Sequence, residues 1–437
     1  MWLYYFKLGI ISLRRNPVLT ALMILTLAAG VAASVSTLTI LNGMSGDPIP
    51  HKSDRLLVPL LDNQPLGNDN PNNDPPRQLT WRDAEALWTA AKGARQTPLW
   101  GLSPSIDPGR KDMPLFFTDG LAVGRDFFAM FETPMIHGAA WSVEDDQRGA
   151  QLTVISRALA ERLFTSPAEA VGKTVRMDGH DFQVVGVFAD WAPIPKYYRL
   201  IGGNYFEGSE DVFIPIRAAI NLNLDFDGSI NCFANPEEPG MAGLLKSECI
   251  MIQYWVEVED EAGRRVYSDY LEAYVREQKA LGRFPKEINN RLLDVRGWLD
   301  FNQVISDDTR TAFWLSVGFL LVCVINTISL LLAKFSSRPG DIGVRRALGA
   351  SRGEVFHQYL LEAAVLGLVG SVLGLALTAG ILAYVRHFDR NMALVAQLDW
   401  FTLGSALLVS MVAALLAGLL PTWRACQVKP ALQLKSQ

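Results

Sequence analysis

The sequence predicts a membrane protein in which four transmembrane α-helices carry a large extracytoplasmic α+β domain between helices 1 and 2. Three features predict this fold class: long uncharged segments, an uneven distribution of charge, and strand–helix alternation in the polar part of the chain. A helix needs roughly 20 residues to cross a hydrocarbon core of about 30 Å. Four uncharged segments reach this length: Val18–Leu41, Thr311–Ala333, Ala363–Val385 and Phe401–Leu420.

Charge divides the 437 residues into two unlike regions, although the net charge is only −5. Residues 44–310 contain 27 Lys and Arg against 40 Asp and Glu, whereas the rest of the chain contains 13 against 5. The first region is therefore acidic and polar, and the second is basic and strongly apolar. This division excludes a single soluble domain, a disordered chain and a nucleic-acid binder with one basic face.

Basic residues near the ends of the apolar segments predict the orientation. If the N-terminus is inside, the cytoplasmic flanks contain eleven Lys and Arg, whereas the short outer loop, residues 386–400, contains two. This excess predicts cytoplasmic N- and C-termini, with residues 44–310 in the periplasm. The first apolar segment is longer than the roughly 7–15 residues of a signal-peptide core. We therefore interpret it as an uncleaved anchor in the bacterial inner membrane.

These features predict three parts: residues 1–43 with an amphipathic N-terminal segment and helix 1, residues 44–310 as the periplasmic domain, and residues 311–437 with helices 2–4. Residues 190–248 are rich in Gly, Asn, Pro and aromatic residues, which predicts an irregular inserted subdomain. Hydrophobic alternation and cap patterns predict the remaining elements of the domain. The expected strands are 54–61, 98–106, 113–123, 151–155, 175–177, 182–188, 250–258 and 292–295, and the expected helices are 80–91, 126–131, 156–164 and 261–281.

Two of the four cysteines, Cys232 and Cys249, lie in the predicted periplasmic domain. Disulfides persist in that oxidising compartment, so these two residues are candidates for a disulfide bond. Two buried thiols are the alternative that the sequence leaves open.

Two short motifs resemble catalytic or nucleotide-binding sites but lack the required context. Gly172-Lys173-Thr174 matches the end of a P-loop, but Pro167 stands where a glycine should cradle phosphate. Residues 349–353 fit the nucleophile-elbow pattern, but they lie between two membrane segments rather than after a strand. Ser351 and Glu354 instead predict a capping box at the start of helix 3. The five histidines show no ligand spacing, and we predict no catalytic, cofactor or metal site in this chain.

The cytoplasmic loop between helices 2 and 3 is the most informative segment. Pro339-Gly340 should end helix 2, and Gly349 should end a short helix over residues 341–348. Such a rigid two-turn helix can dock into a groove of a cytoplasmic partner. Anchoring of lipid phosphates by its arginines is the alternative. The residues of this candidate contact are Asp341, Ile342, Gly343, Val344, Arg345, Arg346, Ala347, Leu348 and Gly349.

The segment DIGVRRALGASRGEVFHQYLLEA, residues 341–363, resembles the signature loop of MacB/FtsX-type ABC transporter permeases. Residues 13–34 and 418–435 are similar to the N- and C-terminal segments of that family. In the polar domain, VISRALAERLF and AVGKTVRMDGHDFQVVGVFAD resemble the MacB-like periplasmic core domain. Asp341 departs from the family, which usually has Glu there, residues 190–248 match no family segment, and no fused ATPase is present.

The resemblance implies a non-catalytic permease subunit whose coupling helix contacts a cytoplasmic ABC ATPase dimer. That partner would bind ATP and Mg²⁺, and a second permease chain, identical or related, would complete the dimer in the lipid bilayer. Family members transmit closure of the ATPases to their periplasmic domains, a process called mechanotransmission. Export of a peptide, toxin or antibiotic follows, with a periplasmic adaptor and an outer-membrane channel as further partners. An FtsX-like scaffold that activates a periplasmic cell-wall hydrolase, and a lipoprotein-extraction permease, are the alternatives.

Overall fold

A computed structural model describes residues 16–67, 73–336, 349, 351–389 and 392–396, together with isolated positions between 403 and 423. The chain separates into two compact units. One unit combines Met1–Ser45 with Ile305–Gln437, and the other is Gly46–Val304. We call the first the membrane unit and the second the globular domain.

Helices dominate the membrane unit, whereas strands and short helices alternate in the globular domain. The helices are α1 (Pro17–Ser45), α2 (Trp81–Ala90), α3 (Phe127–Met130), α4 (Val143–Arg148), α5 (Arg157–Leu163), α6 (Pro167–Ala170), α7 (Ile216–Asn221), α8 (Gly240–Lys246), α9 (Glu261–Ala280), α10 (Val295–Phe301), α11 (Asp307–Ser336) and α12 (Arg352–Phe388). The strands are β1 (Leu56–Leu60), β2 (Leu79–Thr80), β3 (Arg95–Leu102), β4 (Ser105–Asp107), β5 (Phe116–Phe117), β6 (Gly120–Val123), β7 (Met135–Gly138), β8 (Leu152–Ser156), β9 (Thr174–Met177), β10 (His180–Phe188), β11 (Val212–Pro215), β12 (Ile250–Glu257) and β13 (Arg291–Asp294).

Within the described residues, three helices of the membrane unit are long and apolar enough to cross a membrane. They are α1, Asp307–Lys334 of α11, and Gly353–Phe388 of α12. Each contains one of the first three uncharged segments that the sequence marks out. The fourth, Phe401–Leu420, lies mostly outside the described residues, and its described positions, such as Gly404 and Leu408, are helical. The fourth span therefore stays a prediction.

The globular domain is built on one mixed sheet of thirteen strands. The strand order is β13-β1-β12-β3-β6-β11-β8-β10-β9-β4-β5, with β2 beside β12 and β7 beside β10. Strand β11 runs parallel to β6 and β10 runs parallel to β8, whereas neighbouring pairs such as β12 and β3 are antiparallel. A mixed sheet packed against helices agrees with the α+β class that the strand–helix alternation predicts.

The long helix α9 shows how local sequence positions an element on this sheet. Asp260 caps it by accepting a hydrogen bond from the Gly263 N–H at 2.8 Å. Its buried residues recur at helical spacing, so one face packs into the core and the other faces solvent. These buried residues are Tyr267, Leu271, Tyr274 and Val275.

The prediction of an inserted subdomain over residues 190–248 is wrong. Strand β11 lies in the middle of the sheet, where Val212 pairs with Gly120 of β6 and with Ile155 of β8. The stretch is therefore part of the core fold. A strand of four residues is too short for alternation to show, and its two neighbours are distant in the sequence.

Two predicted strands are each divided in the structure. Strand β3 ends at Leu102 and β4 begins at Ser105, because Pro104 has no N–H to continue the ladder. The predicted strand over residues 113–123 becomes the short β5 and β6. Strands β9 and β10 form a hairpin, with positive φ at Asp178 and Gly179 as a two-residue turn requires.

Candidate functional site

The predicted coupling residues Asp341–Leu348 lie outside the described residues, so their arrangement stays a prediction. Gly349, which follows them, has φ +98°, in the left-handed region that favours glycine. The Glu354 N–H donates to Ser351 Oγ at 3.2 Å, and the Ser351 N–H donates to Glu354 Oε2 at 2.8 Å. These reciprocal bonds form a capping box at the start of α12.

Glycines bring α1 and α12 close together inside the membrane unit. A Cβ added at Gly374 would lie 2.8 Å from Val31 Cγ1, and one added at Gly370 would lie 3.1 Å from Leu27 Cβ. Both distances are too short for a side chain to fit without displacement. Small residues at such contacts allow membrane helices to pack backbone against backbone. The two helices are therefore in close contact at these glycines.

A buried ion pair joins α11 and α12. Lys334 Nζ lies 2.5 Å from Glu362 Oε1, and the two side chains are 1% and 4% exposed. Both residues stand just outside the uncharged segments, where sequence reasoning treats charges as solvated flanks. The signal that was overlooked is the opposite sign of two charges at facing ends of consecutive membrane segments.

The segments that join the globular domain to α1 and α11 are bonded to each other. Asp47, two residues after α1, accepts hydrogen bonds from Ser53 Oγ and from Arg296 Nε, the latter at 2.9 Å. Arg296 lies in α10, and the neighbouring Val295 N–H donates to the Ser53 carbonyl at 3.2 Å. Burial raises the pKa of Asp47, but these hydrogen bonds outweigh it and hold that pKa below its usual value. Asp47 therefore stays ionised and holds the two segments together.

Lys52 extends this connection into the sheet. Its Nζ donates to the carbonyls of Ala129 and Met130, both at 2.9 Å, and lies 3.0 Å from Glu257 Oε1 on β12. Both charged side chains are buried, at 6% and 5% exposure. The segment that follows α1 is thus fixed to β12 of the globular domain.

A second buried charge network fixes the stretch before β11. Glu210 is fully buried and accepts hydrogen bonds from Tyr198 OH at 2.8 Å and from Arg199 Nη1 at 3.1 Å. Lys196 Nζ lies 3.5 Å from the same carboxylate. Burial raises the pKa of Glu210, but Lys196 and Arg199 outweigh it, so the pKa lies below its usual value. Sequence reasoning missed this network because its members look like surface charges in a loop.

Cys232 and Cys249 form a disulfide bond in the structure. Cys249 is fully buried and directly precedes β12, whereas Cys232 lies in the loop that includes α8. The bond attaches this loop to the residue that precedes β12, and the described Cys323 of α11 is a free thiol.

The rejected catalytic motifs have structural roles. The Gly172 N–H donates to the Val184 carbonyl at 2.8 Å, so the P-loop-like segment forms a turn before β9. Ser351, in the nucleophile-elbow pattern, caps α12. Among the described residues, no group of three or more His, Cys, Asp and Glu could hold a metal ion.

Together, the apolar helices and the globular domain between the first two of them define a membrane protein with a large extramembrane domain. Residues 20–264 match the family model of the MacB-like periplasmic core domain, and residues 313–430 match that of the FtsX-like permease C-terminal domain. The first match covers more than half of the chain. The protein therefore belongs to the MacB/FtsX-type family of ABC transporter permeases.

The chain is similar to several curated exporters. It is 23% identical over 326 residues to the probable export ATP-binding/permease protein MacB of Pseudomonas entomophila, which covers 70% of this chain and 40% of that protein. It is 24% identical over 442 residues to the macrolide export ATP-binding/permease protein MacB 1 of Yersinia pestis, covering 96% and 58%. The chain thus spans about half the length of the curated relatives it matches.

Among solved structures, the chain resembles the periplasmic region of MacB from Actinobacillus actinomycetemcomitans. The similarity covers 59% of this chain and 96% of that region, with 15% identity and a TM-score of 0.37. The extracellular domain of the transporter YknZ from Gram-positive bacteria is matched over 55% of this chain and 100% of that domain, with 17% identity and a TM-score of 0.34.

Proposed function

We propose that this permease transmits ATP-driven movement from a separate cytoplasmic ABC ATPase dimer to its periplasmic globular domain. The observation that carries this proposal is the connection centred on Asp47. Asp47 bonds the segment after α1 to the helix before α11, and β1 pairs with β13 beside it, which supports movement of the two ends of the globular domain together. A displacement of the membrane helices then acts on the domain as a rigid body instead of being lost in flexible linkers.

The coupling helix, residues 341–349, is the proposed contact with the ATPase, and the partner binds ATP and Mg²⁺. Support comes from the family and from Gly349 and the capping box, which together end the coupling segment and start α12 firmly. The basic flanks support a location of this segment, and of both termini, on the cytoplasmic side of the bacterial inner membrane.

A second permease chain is proposed to pack on the exposed face of α11. This helix is less buried than α1 or α12, and its surface carries the polar Asn326 together with apolar residues such as Leu321 and Ile325. A polar amide facing lipid is costly, whereas the same amide hydrogen-bonds readily across a helix pair. The identity of the second chain, like or related, follows from which chains co-purify.

Export is the proposed outcome, with a peptide, toxin or antibiotic as cargo and with a periplasmic adaptor and an outer-membrane channel as partners. The names of the relatives, which include macrolide and pyoverdine exporters, support this class of cargo. The size of the globular domain favours export over an FtsX-like scaffold for a cell-wall hydrolase. Co-purification of an amidase, with no transport phenotype, would favour the scaffold instead.

Reversal of charge on the coupling helix tests this function. In R345E/R346E, four units of charge change on the proposed ATPase contact, so we expect loss of permease-stimulated ATPase activity and of ATPase co-purification. The matched control is K429E/K435E, which makes the same change of charge in the C-terminal flank. The measurements are affinity purification in mild detergent and ATP hydrolysis in proteoliposomes. Unchanged stimulation and co-purification in R345E/R346E would exclude the coupling role.

A further inference from the structure

In the sequence, Lys334 and Glu362 flank the segment that contains the proposed coupling helix. Lys334 is two residues before the end of α11, and Glu362 is ten residues after the start of α12. At 1.5 Å per residue, α12 therefore extends about 15 Å beyond the pair, whereas α11 extends only about 3 Å. We call this extension, Arg352–Leu361, the α12 arm.

The α12 arm is packed rather than free. Its Val355 and Tyr359 are buried in an apolar cluster with Met23 of α1 and Leu331 of α11. The capping box closes its far end, next to the coupling segment. The arm is thus a rigid rod with the coupling segment at one end and the ion pair at the other.

Two opposite charges buried between membrane helices indicate a specific role for Lys334 and Glu362. Ionisable side chains buried between membrane helices are rare and are usually tied to function. Both side chains of the pair are almost completely buried, and their attraction is strong because the surrounding dielectric constant is low. A neutral pair of leucines would fill the same space without the need to place two charges opposite each other.

We propose that Lys334 and Glu362 are positioning residues that fasten α11 to the α12 arm, so that movement of the coupling segment displaces both helices together. The proposal rests on the proposed function and adds the contact through which movement of the coupling segment reaches α11 as well as α12. Without the pair, the apolar contacts with Leu331 hold the arm to α11 less firmly, so a push on the arm tilts α12 further than α11, which leads to the globular domain.

The test uses the full chain, reconstituted with the ATPase that co-purifies with the wild type. The variants are the single E362Q and K334Q, the neutral pair K334Q/E362Q and the charge exchange K334E/E362K. K429Q, which removes one charge from the C-terminal flank, is the matched control. One readout is permease-stimulated ATP hydrolysis at equal ATPase recovery. The other is the distance distribution between spin labels at the exposed positions Ser329 and His357, in a background without Cys323 and Cys426.

We expect the single variants to lower stimulation about tenfold, a typical size for coupling between sites, and to broaden the distance distribution. ATPase recovery should not change, because the docking surface is intact. K334E/E362K should restore both readouts, and K334Q/E362Q should not. If a single variant fails to insert, the two double variants still decide between ionic pairing and simple packing.

Two results overturn the proposal: wild-type behaviour of E362Q in both readouts, or a charge exchange no better than the single variants. Failure of the proposed function gives a different pattern. In that case the wild-type chain recovers or stimulates no ATPase, whereas the spin-label distances still report whether the pair fastens the two helices.

Discussion

At the scale of single residues, this protein depends on charges that the fold buries in pairs and networks. Lys52 and Glu210 lie in the polar part of the chain, yet both side chains are buried and each is held by several partners within the globular domain. Removal of one member of a buried charge pair is costly because its partner loses its compensation. Exposed pairs contribute much less because water competes with them.

Glu210→Gln is expected to destabilise the globular domain by about 3–5 kcal/mol, the usual effect of breaking a buried ion pair. Because the folded-state pKa of Glu210 is lowered, its stabilisation is present at neutral pH and is lost as the pH falls through that pKa. The difference between variant and wild type should therefore shrink on acidification. Thermal unfolding of the full chain, followed at several pH values, measures it.

The matched control is Glu238→Gln, since Glu238 pairs with Lys246 at the surface and is 54% exposed. We expect this change to cost less than about 1 kcal/mol. Equal effects of the two substitutions, or a Glu210→Gln effect independent of pH, would contradict the role assigned to the buried network.

At the scale of elements, close packing of α1 against α12 is the feature of the membrane unit that can be tested by substitution. The contact between α1 and α12 depends on glycines, because no larger residue fits between Gly374 and Val31. Gly380, on the same helix, makes no such contact, since nothing lies within 4 Å of a Cβ added there. A substitution at Gly374 therefore tests helix packing, whereas the same substitution at Gly380 tests only helix propensity.

Gly374→Leu should separate α12 from α1 and lower the stability of the membrane unit by about 1–3 kcal/mol, as overpacking does in well-packed interiors. Gly380→Leu, which meets open space, should leave stability unchanged or slightly raised. Thermal unfolding in detergent compares the two variants with the wild type. Similar behaviour of both would show that the close approach at Gly374 is not required.

At the scale of the whole molecule, the disulfide reports on the compartment of the globular domain. Because disulfides persist in the periplasm, the peptides that contain Cys232 and Cys249 should be linked in chain isolated from membranes. Cys323, a free thiol, serves as the internal control. Mass mapping without reductant makes the measurement, and two free thiols at Cys232 and Cys249 would argue against both the pairing and the periplasmic location.

Sequence reasoning succeeded where the signal is local. A run of uncharged residues predicts α1, α11 and α12 because the length of a span depends only on its own composition. Ser351 and Glu354 predict their capping box because both partners lie within one turn of helix. The resemblance of residues 341–363 to a family loop likewise needs no knowledge of the fold.

The same reasoning failed where partners are distant along the chain. Asp47 and Arg296 are 249 residues apart, and β11 pairs with strands that precede it by many elements. Lys334 and Glu362 lie closer, but their pairing depends on how α11 and α12 pack. The residues next to a charged side chain in the sequence do not indicate which charge it will contact in the folded protein.

By itself, the sequence determined the membrane class, the expected orientation, the division into an apolar unit and a polar domain, and the loop that resembles the permease family. Hydrophobic length, charge asymmetry and cap patterns act over a few residues, and they can be read without coordinates. Only the tertiary structure decided that β11 lies in the middle of the sheet, that Asp47 bonds to Arg296 and that Lys334 meets Glu362. Each of these contacts joins residues from different elements, and packing of the whole chain, which no local pattern encodes, brings them together.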